Sequence, residues 1–145
     1  MFIENLIKEY KQNSDFGIFE LKQNETINDI VKINNIPNKY GVYIIYGIRN
    51  NYEEIIYIGK SGTMESNGIF KNQGIKKRLT TKQDGFYRKV YFQNIMRKYQ
   101  FDKLKFLWIV TFDDKNKELP FFVEAKMIQA YFNTYNKLPL FNKSV

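Results

Sequence analysis

Two β-prone runs near the middle of the chain constrain the fold more than any other feature. Gly41 to Tyr46 is rich in β-branched and aromatic residues, Glu54 to Ile58 is a second apolar run, and Arg49-Asn50-Asn51 lies between them. Such side chains favour pleated backbone, and asparagine tolerates the left-handed conformation of tight turns, so the pattern predicts a β-hairpin. Leu104 to Phe112, which includes the only tryptophan, Trp108, reads as a central third strand ending at Asp113-Asp114-Lys115-Asn116.

The other segments follow the helical period. Phe2, Ile3, Leu6, Ile7 and Tyr10 predict an amphipathic helix from about Phe2 to Lys11, closed by Asn13-Ser14-Asp15. Thr26 fits the N-cap of a short helix carrying Ile27, Ile30 and Val31, which stops before Pro37 because the residue preceding proline disfavours helical geometry. Residues 1–36 are therefore expected to form a helical extension packed on a core domain of residues 37–145. Ser61 to Gly74, rich in Gly, Asn and Ser, reads as a loop, and Ile75 to Thr81 as a basic helix bearing Arg78. Phe86 to Tyr99 reads as another helix with Val90, Tyr91, Ile95 and Met96 inward, although its first half also fits a strand. Pro120 suits the first turn of a last helix running to about Tyr135, since its missing amide proton is harmless there. The expected class is α+β: a small central antiparallel three-stranded sheet flanked by helices. The length of 145 residues suits one compact domain.

Composition narrows the chemistry. There is no cysteine and no histidine, so disulfides, thiol sites and the commonest general base are excluded. Acid–base work then falls to Tyr, Lys, Glu or Asp, helped by water or metal. No run approaches the ~20 apolar residues of a membrane span, and a cytoplasmic protein is expected. The net charge of +8 is concentrated: residues 71–105 hold eleven Lys or Arg against Asp84 and Asp102, and the remainder is nearly neutral. A polyanion partner would explain this, as would an ordinary solvated helix face.

Glu124 shares a helical stripe with Phe121, Ile128 and Tyr131. An unpaired buried carboxylate costs several kcal/mol, so the group should be paired with a cation, bound to a metal or protonated. Position alone favours a salt bridge to Arg or Lys. Tyr43 and Tyr57, taken alone, would be packing residues, and Arg78 an ordinary member of the Lys76-Lys77-Arg78 run.

Order changes that balance. Gly41-Val42-Tyr43, then Tyr57-Ile58-Gly59 with Lys60 directly after, then Arg78, Glu124 and Asn142 together resemble the GIY-YIG endonuclease family over roughly Lys39 to Asn142. Val42 stands where the family's nominal isoleucine would be, and Ser61 to Gly74 is an unusually long insertion. The resemblance implies catalytic roles for Tyr43, Tyr57, Lys60, Arg78, Glu124 and Asn142. Tyr43 would act on the attacking water, Tyr57 at the phosphate site, Glu124 as ligand of Mg²⁺ or Mn²⁺, and Asn142 as an orienting hydrogen-bonding group. Lys82 stands one turn after the arginine, where many members carry His or Tyr, so Lys82 or Tyr87 is expected to fill that role. Lys76, Lys77, Lys82, Tyr87, Arg88 and Lys89 are expected DNA contacts. The implied activity is metal-dependent DNA hydrolysis giving 5′-phosphate ends, most like a type II restriction endonuclease cutting double-stranded DNA as a homodimer. The alternatives are a repair-type or single-strand nuclease stacking bases on Phe86, Tyr87, Tyr91, Phe92 and Tyr99, and a non-catalytic nucleic-acid-binding module.

Overall fold

The computed structural model describes residues 1–71, 74–80, 82–83 and 86–145, and the side chains of 82–83 and 86–89 lie outside that description. The elements run α1 (Ile3–Asn13), β1 (Phe16–Lys22), α2 (Ile27–Ile33), β2 (Tyr40–Arg49), β3 (Tyr52–Lys60), α3 (Ile75–Thr80), β4 (Lys82–Gln83), β5 (Phe86–Tyr87), α4 (Arg88–Tyr99), β6 (Lys103–Phe112) and α5 (Pro120–Tyr135). The class is α+β, and the main sheet is antiparallel in the order β1-β6-β2-β3.

That sheet has four strands, not the three expected. The fourth comes from within the segment read as a helical extension: β1 pairs with β6 from Phe16↔Ile109 to Lys22↔Lys103. Its period-two pattern was visible in Phe19 and Leu21, both buried, alternating with exposed Ile18, Glu20 and Lys22. Gly17 permits the pairing, because a side-chain carbon there would overlap the Trp108 indole. Glu20 forms an ion pair with Lys103 at 2.7 Å.

The hairpin forms as predicted. Asn50 and Asn51 have φ of 49° and 64°, the two left-handed residues of a type I′ turn, whose twist matches that of the strands it joins. Register slips between Ile45 and Tyr46, so that Ile45 faces Tyr57 while Tyr46 faces Ile55. This bulge lets Ile56 and Tyr57 both pack on the same side of the sheet.

Two apolar layers result. On one side Val42, Ile44, Ile58, Leu107 and Ile109 pack with Ile3, Leu6 and Ile7 of α1 and with Val123, Met127 and Ile128 of α5. On the other, Tyr43, Ile45, Ile56, Phe19 and Phe106 pack with Ile27 and Val31 of α2, Ile75 and Leu79 of α3, and Phe92 and Met96 of α4. Each fully buried aliphatic or aromatic side chain contributes about 1.5–3 kcal/mol. Val90, expected inward, is 42 % exposed, and Phe92 takes the inward position. Thr26 caps α2 by accepting from the Asp29 amide at 3.4 Å. Pro120 opens α5, and Asn136 closes it in the left-handed conformation at φ 58°. Among the described residues no helix is long and apolar enough to cross a membrane.

Candidate active site

The site forms around β3, one of the two edge strands of the main sheet. Residues 139–142 run beside that edge: the Phe141 amide donates to the Ile56 carbonyl at 2.8 Å. The Asn142 side chain continues the pairing. Its Oδ1 accepts from the Ile58 amide at 2.9 Å, and its Nδ2 donates to the Ile58 carbonyl at 2.8 Å. One side-chain amide thus stands in for a neighbouring strand and satisfies both backbone groups of Ile58.

Side chains alternate from this clamped point. Gly59 faces the tyrosines: a side-chain carbon there would lie 2.6 Å from Tyr43 Cζ, 2.7 Å from the Tyr43 hydroxyl oxygen and 2.6 Å from Tyr57 Cε1. The two rings converge above it, with centroids 5.8 Å apart. Tyr43 is 0 % exposed, whereas Tyr57 is half-buried and lines a groove with Glu124 and Asn142. Lys60, the next residue, falls on the α5 side of the sheet by strand alternation. Its Nζ donates to the Gly62 carbonyl at 3.2 Å.

Glu124 is half-buried near the start of α5. Desolvation by its surroundings raises its carboxyl pKa, and the positive charges of Lys60 and Arg78 partly offset that rise. The charges of Lys60 and Arg78 thus act on Glu124 although β3, α3 and α5 carry the three residues. No ion pair or hydrogen bond among the described residues includes Glu124. The salt bridge that its position alone favoured is not formed among the described residues. Among the described residues there is also no group of three or more Asp or Glu placed to hold a metal, so an ion here would rest on Glu124 with water and substrate oxygens.

The groove has a volume of about 760 Å³ and runs between α5 and the segment after it. Besides the residues named, Phe121, Phe132 and Lys137 line it. The sequence pattern counted Phe121 as part of an apolar stripe with Glu124, but only Ile128 and Tyr131 of that stripe are buried. Helical spacing puts residues on a common face without saying where that face meets solvent.

The described part of the insertion after Lys60, residues 61–71 and 74, makes contacts of its own. Ser61 is buried, donating its amide to the Gly41 carbonyl at 2.9 Å and accepting from the Gly41 amide through Oγ at 3.0 Å. Phe70 stacks on Tyr40 with centroids 3.8 Å apart, and Met64 and Phe70 form a β-bridge. The excursion leaves from Lys60 and returns to the helix of Arg78. Lys76 and Lys77 are exposed on α3. The side chains of Lys82, Tyr87, Arg88 and Lys89 lie outside the described residues, as does that of Phe86. Of the aromatics considered for base stacking, Phe92 is buried in the core, and Tyr91 and Tyr99 pack edge-on against Phe141.

Comparison with models of known protein families, with curated proteins and with solved structures found no match.

Proposed function

We propose that this chain is a metal-dependent DNA endonuclease of the GIY-YIG type, hydrolysing phosphodiester bonds to 5′-phosphate and 3′-hydroxyl ends. The observation that carries this reading is Glu124: a half-buried carboxylate with no ion pair or hydrogen bond among the described residues, within the fields of Lys60 and Arg78, on a groove shared with Tyr57 and Asn142. A purely structural acid with that burial would be paired. A carboxylate so placed fits the ligand of a divalent ion, and a single carboxylate completed by water and phosphate oxygens suits Mg²⁺ or Mn²⁺. Bound there, such an ion would supply Lewis-acid stabilisation of the phosphoryl and leaving oxygens.

The chain's own groups have distinct tasks. Arg78 offers a planar, permanently charged fork to the phosphate, and Lys60 adds a second cation where negative charge grows. Tyr43, as phenolate, takes the proton of the attacking water, and Tyr57, which lines the groove, contributes to the phosphate site. A phenol ordinarily ionises near pH 10, so this role needs positive charge beside it, for which Lys60 and the ion are the candidates. Gly59 keeps the space beside the Tyr43 hydroxyl free of side-chain atoms. Asn142 acts through Ile58, fixing the strand from which Tyr57 and Lys60 project.

The subclass we propose is a type II restriction endonuclease acting on double-stranded DNA as a homodimer, because protein two-fold symmetry can mirror that of a palindromic site. The excursion between Lys60 and Arg78 is its candidate base-reading element. Plasmid and single-stranded DNA incubated with Mg²⁺ or EDTA, alongside Glu124→Ala and Arg78→Ala, test the proposal. Discrete duplex fragments that require metal and both side chains are expected. Cutting of single strands alone would overturn the subclass, and unaltered cutting by either variant would overturn the site.

A further inference from the structure

Phe121 is 67 % exposed, the most exposed aromatic of α5. A lone exposed phenylalanine is ordinary, but this one has particular neighbours. It lies one helical turn before Glu124 and lines the same groove, which Lys137 also lines. The charges of Lys60 and Arg78 reach that groove at Glu124. An uncovered aromatic face next to fixed cations is the combination that holds an unpaired nucleotide: the base stacks on the ring while the phosphate meets the positive charge. A second copy of the chain is a poorer occupant. A two-fold contact through this face would set Lys60, Arg78 and Lys137 against their own copies in a chain of net charge +8.

We infer that the substrate strand enters this groove with the nucleotide beside the scissile phosphate unstacked, its base lying on the Phe121 ring. The identity of that phosphate rests on the nuclease reading, whereas the stacking is a property of binding alone. Unstacking costs least where a base is mismatched, so a duplex with a mismatch there should bind better than a fully paired one. Phe122 provides the internal control: it is also exposed, but its ring lies under the Lys126 ammonium at 4.7 Å and it does not line the groove.

The test is binding in EDTA, so that no cutting intervenes. Fluorescence anisotropy would compare a paired oligonucleotide duplex, the same duplex with one mismatched 2-aminopurine, and the single strand. The wild type should bind the mismatched duplex more tightly than the paired one and quench 2-aminopurine. Phe121→Ala should bind the unpaired probes about tenfold more weakly, while Phe121→Trp retains their affinity and Phe122→Ala matches the wild type. Unchanged binding by Phe121→Ala, or tighter binding of the paired duplex by the wild type, would overturn the inference. A dimer that Phe121→Ala dissociates would assign the ring to a second copy and overturn it as well. The two readings fail separately: quenching without Mg²⁺-dependent cutting removes the nuclease and leaves the stacking, and cutting with Phe121-independent binding does the reverse.

Discussion

Asn142 pairs with both backbone groups of Ile58, 84 positions earlier in the chain, at 2.9 and 2.8 Å. Ile58 is flanked by Tyr57 and Gly59, so the clamp holds the part of β3 from which the candidate site is built. Replacing Asn142 by Ala removes both bonds and should lower stability by about 1–3 kcal/mol, read as a fall in the urea midpoint. Asp at the same position should be at least as damaging at neutral pH, because a carboxylate facing the Ile58 carbonyl cannot donate. Equal stability of all three proteins would show that the clamp contributes nothing.

Gly59 and Gly41 separate two kinds of glycine requirement. An added side-chain carbon at Gly59 meets tyrosine ring atoms, whereas at Gly41 it meets the Ile109 carbonyl oxygen, a backbone atom that cannot rotate away. Gly59→Ala should therefore fold, at a cost of about 1–3 kcal/mol, but with the Tyr43 and Tyr57 rings displaced and cleavage reduced. Gly41→Ala should be the less stable of the two in thermal unfolding.

The Glu124 carboxyl has a pKa raised by burial, against the opposing fields of Lys60 and Arg78. A raised carboxyl pKa means that the folded state favours the protonated form. Its contribution to stability is fully present below the unfolded value of about 4.3 and is lost as pH rises through the folded value. Glu124→Gln should accordingly be more stable than the wild type at neutral pH, and the difference should vanish toward pH 3. Mg²⁺ should raise the melting temperature of the wild type and leave that of Glu124→Gln unmoved. A Gln variant no more stable than the wild type at pH 7 would contradict the desolvation account.

Arg78 and Lys60 both act on the Glu124 region, but their chemistry differs. Arg78→Ala should reduce cleavage by about 10²-fold or more, and Arg78→Lys should recover only part of the loss, because an ammonium cannot grip two phosphate oxygens in one plane. Single-turnover rates on a cleavable duplex would measure this. Full activity of the Lys variant would reduce the role to charge alone.

Much of this architecture is legible from local pattern. The asparagine turn of the hairpin, the Thr26 cap and Pro120 at the start of α5 are properties of a few adjacent residues, and each forms where the residues predict. β1 was missed because its alternation is short, lies between two helices and acquires meaning only against β6, some ninety residues later. The influence of the Lys60 and Arg78 charges on Glu124 has the same character: spacing along the chain could not show it, since three separate elements carry these residues. Spacing also misjudged Phe121, for a helical stripe extends past the edge of the sheet that covers it.

The Asn142 clamp also bears on timing during synthesis. A nascent chain extended through α5 already contains Tyr43, Tyr57, Lys60, Arg78 and Glu124, yet the outer edge of β3 at Ile58 remains unclosed until the segment after α5 has emerged. The strand that carries Tyr57 and Lys60 is therefore fastened at its outer edge only after the helix that carries Glu124 has been made.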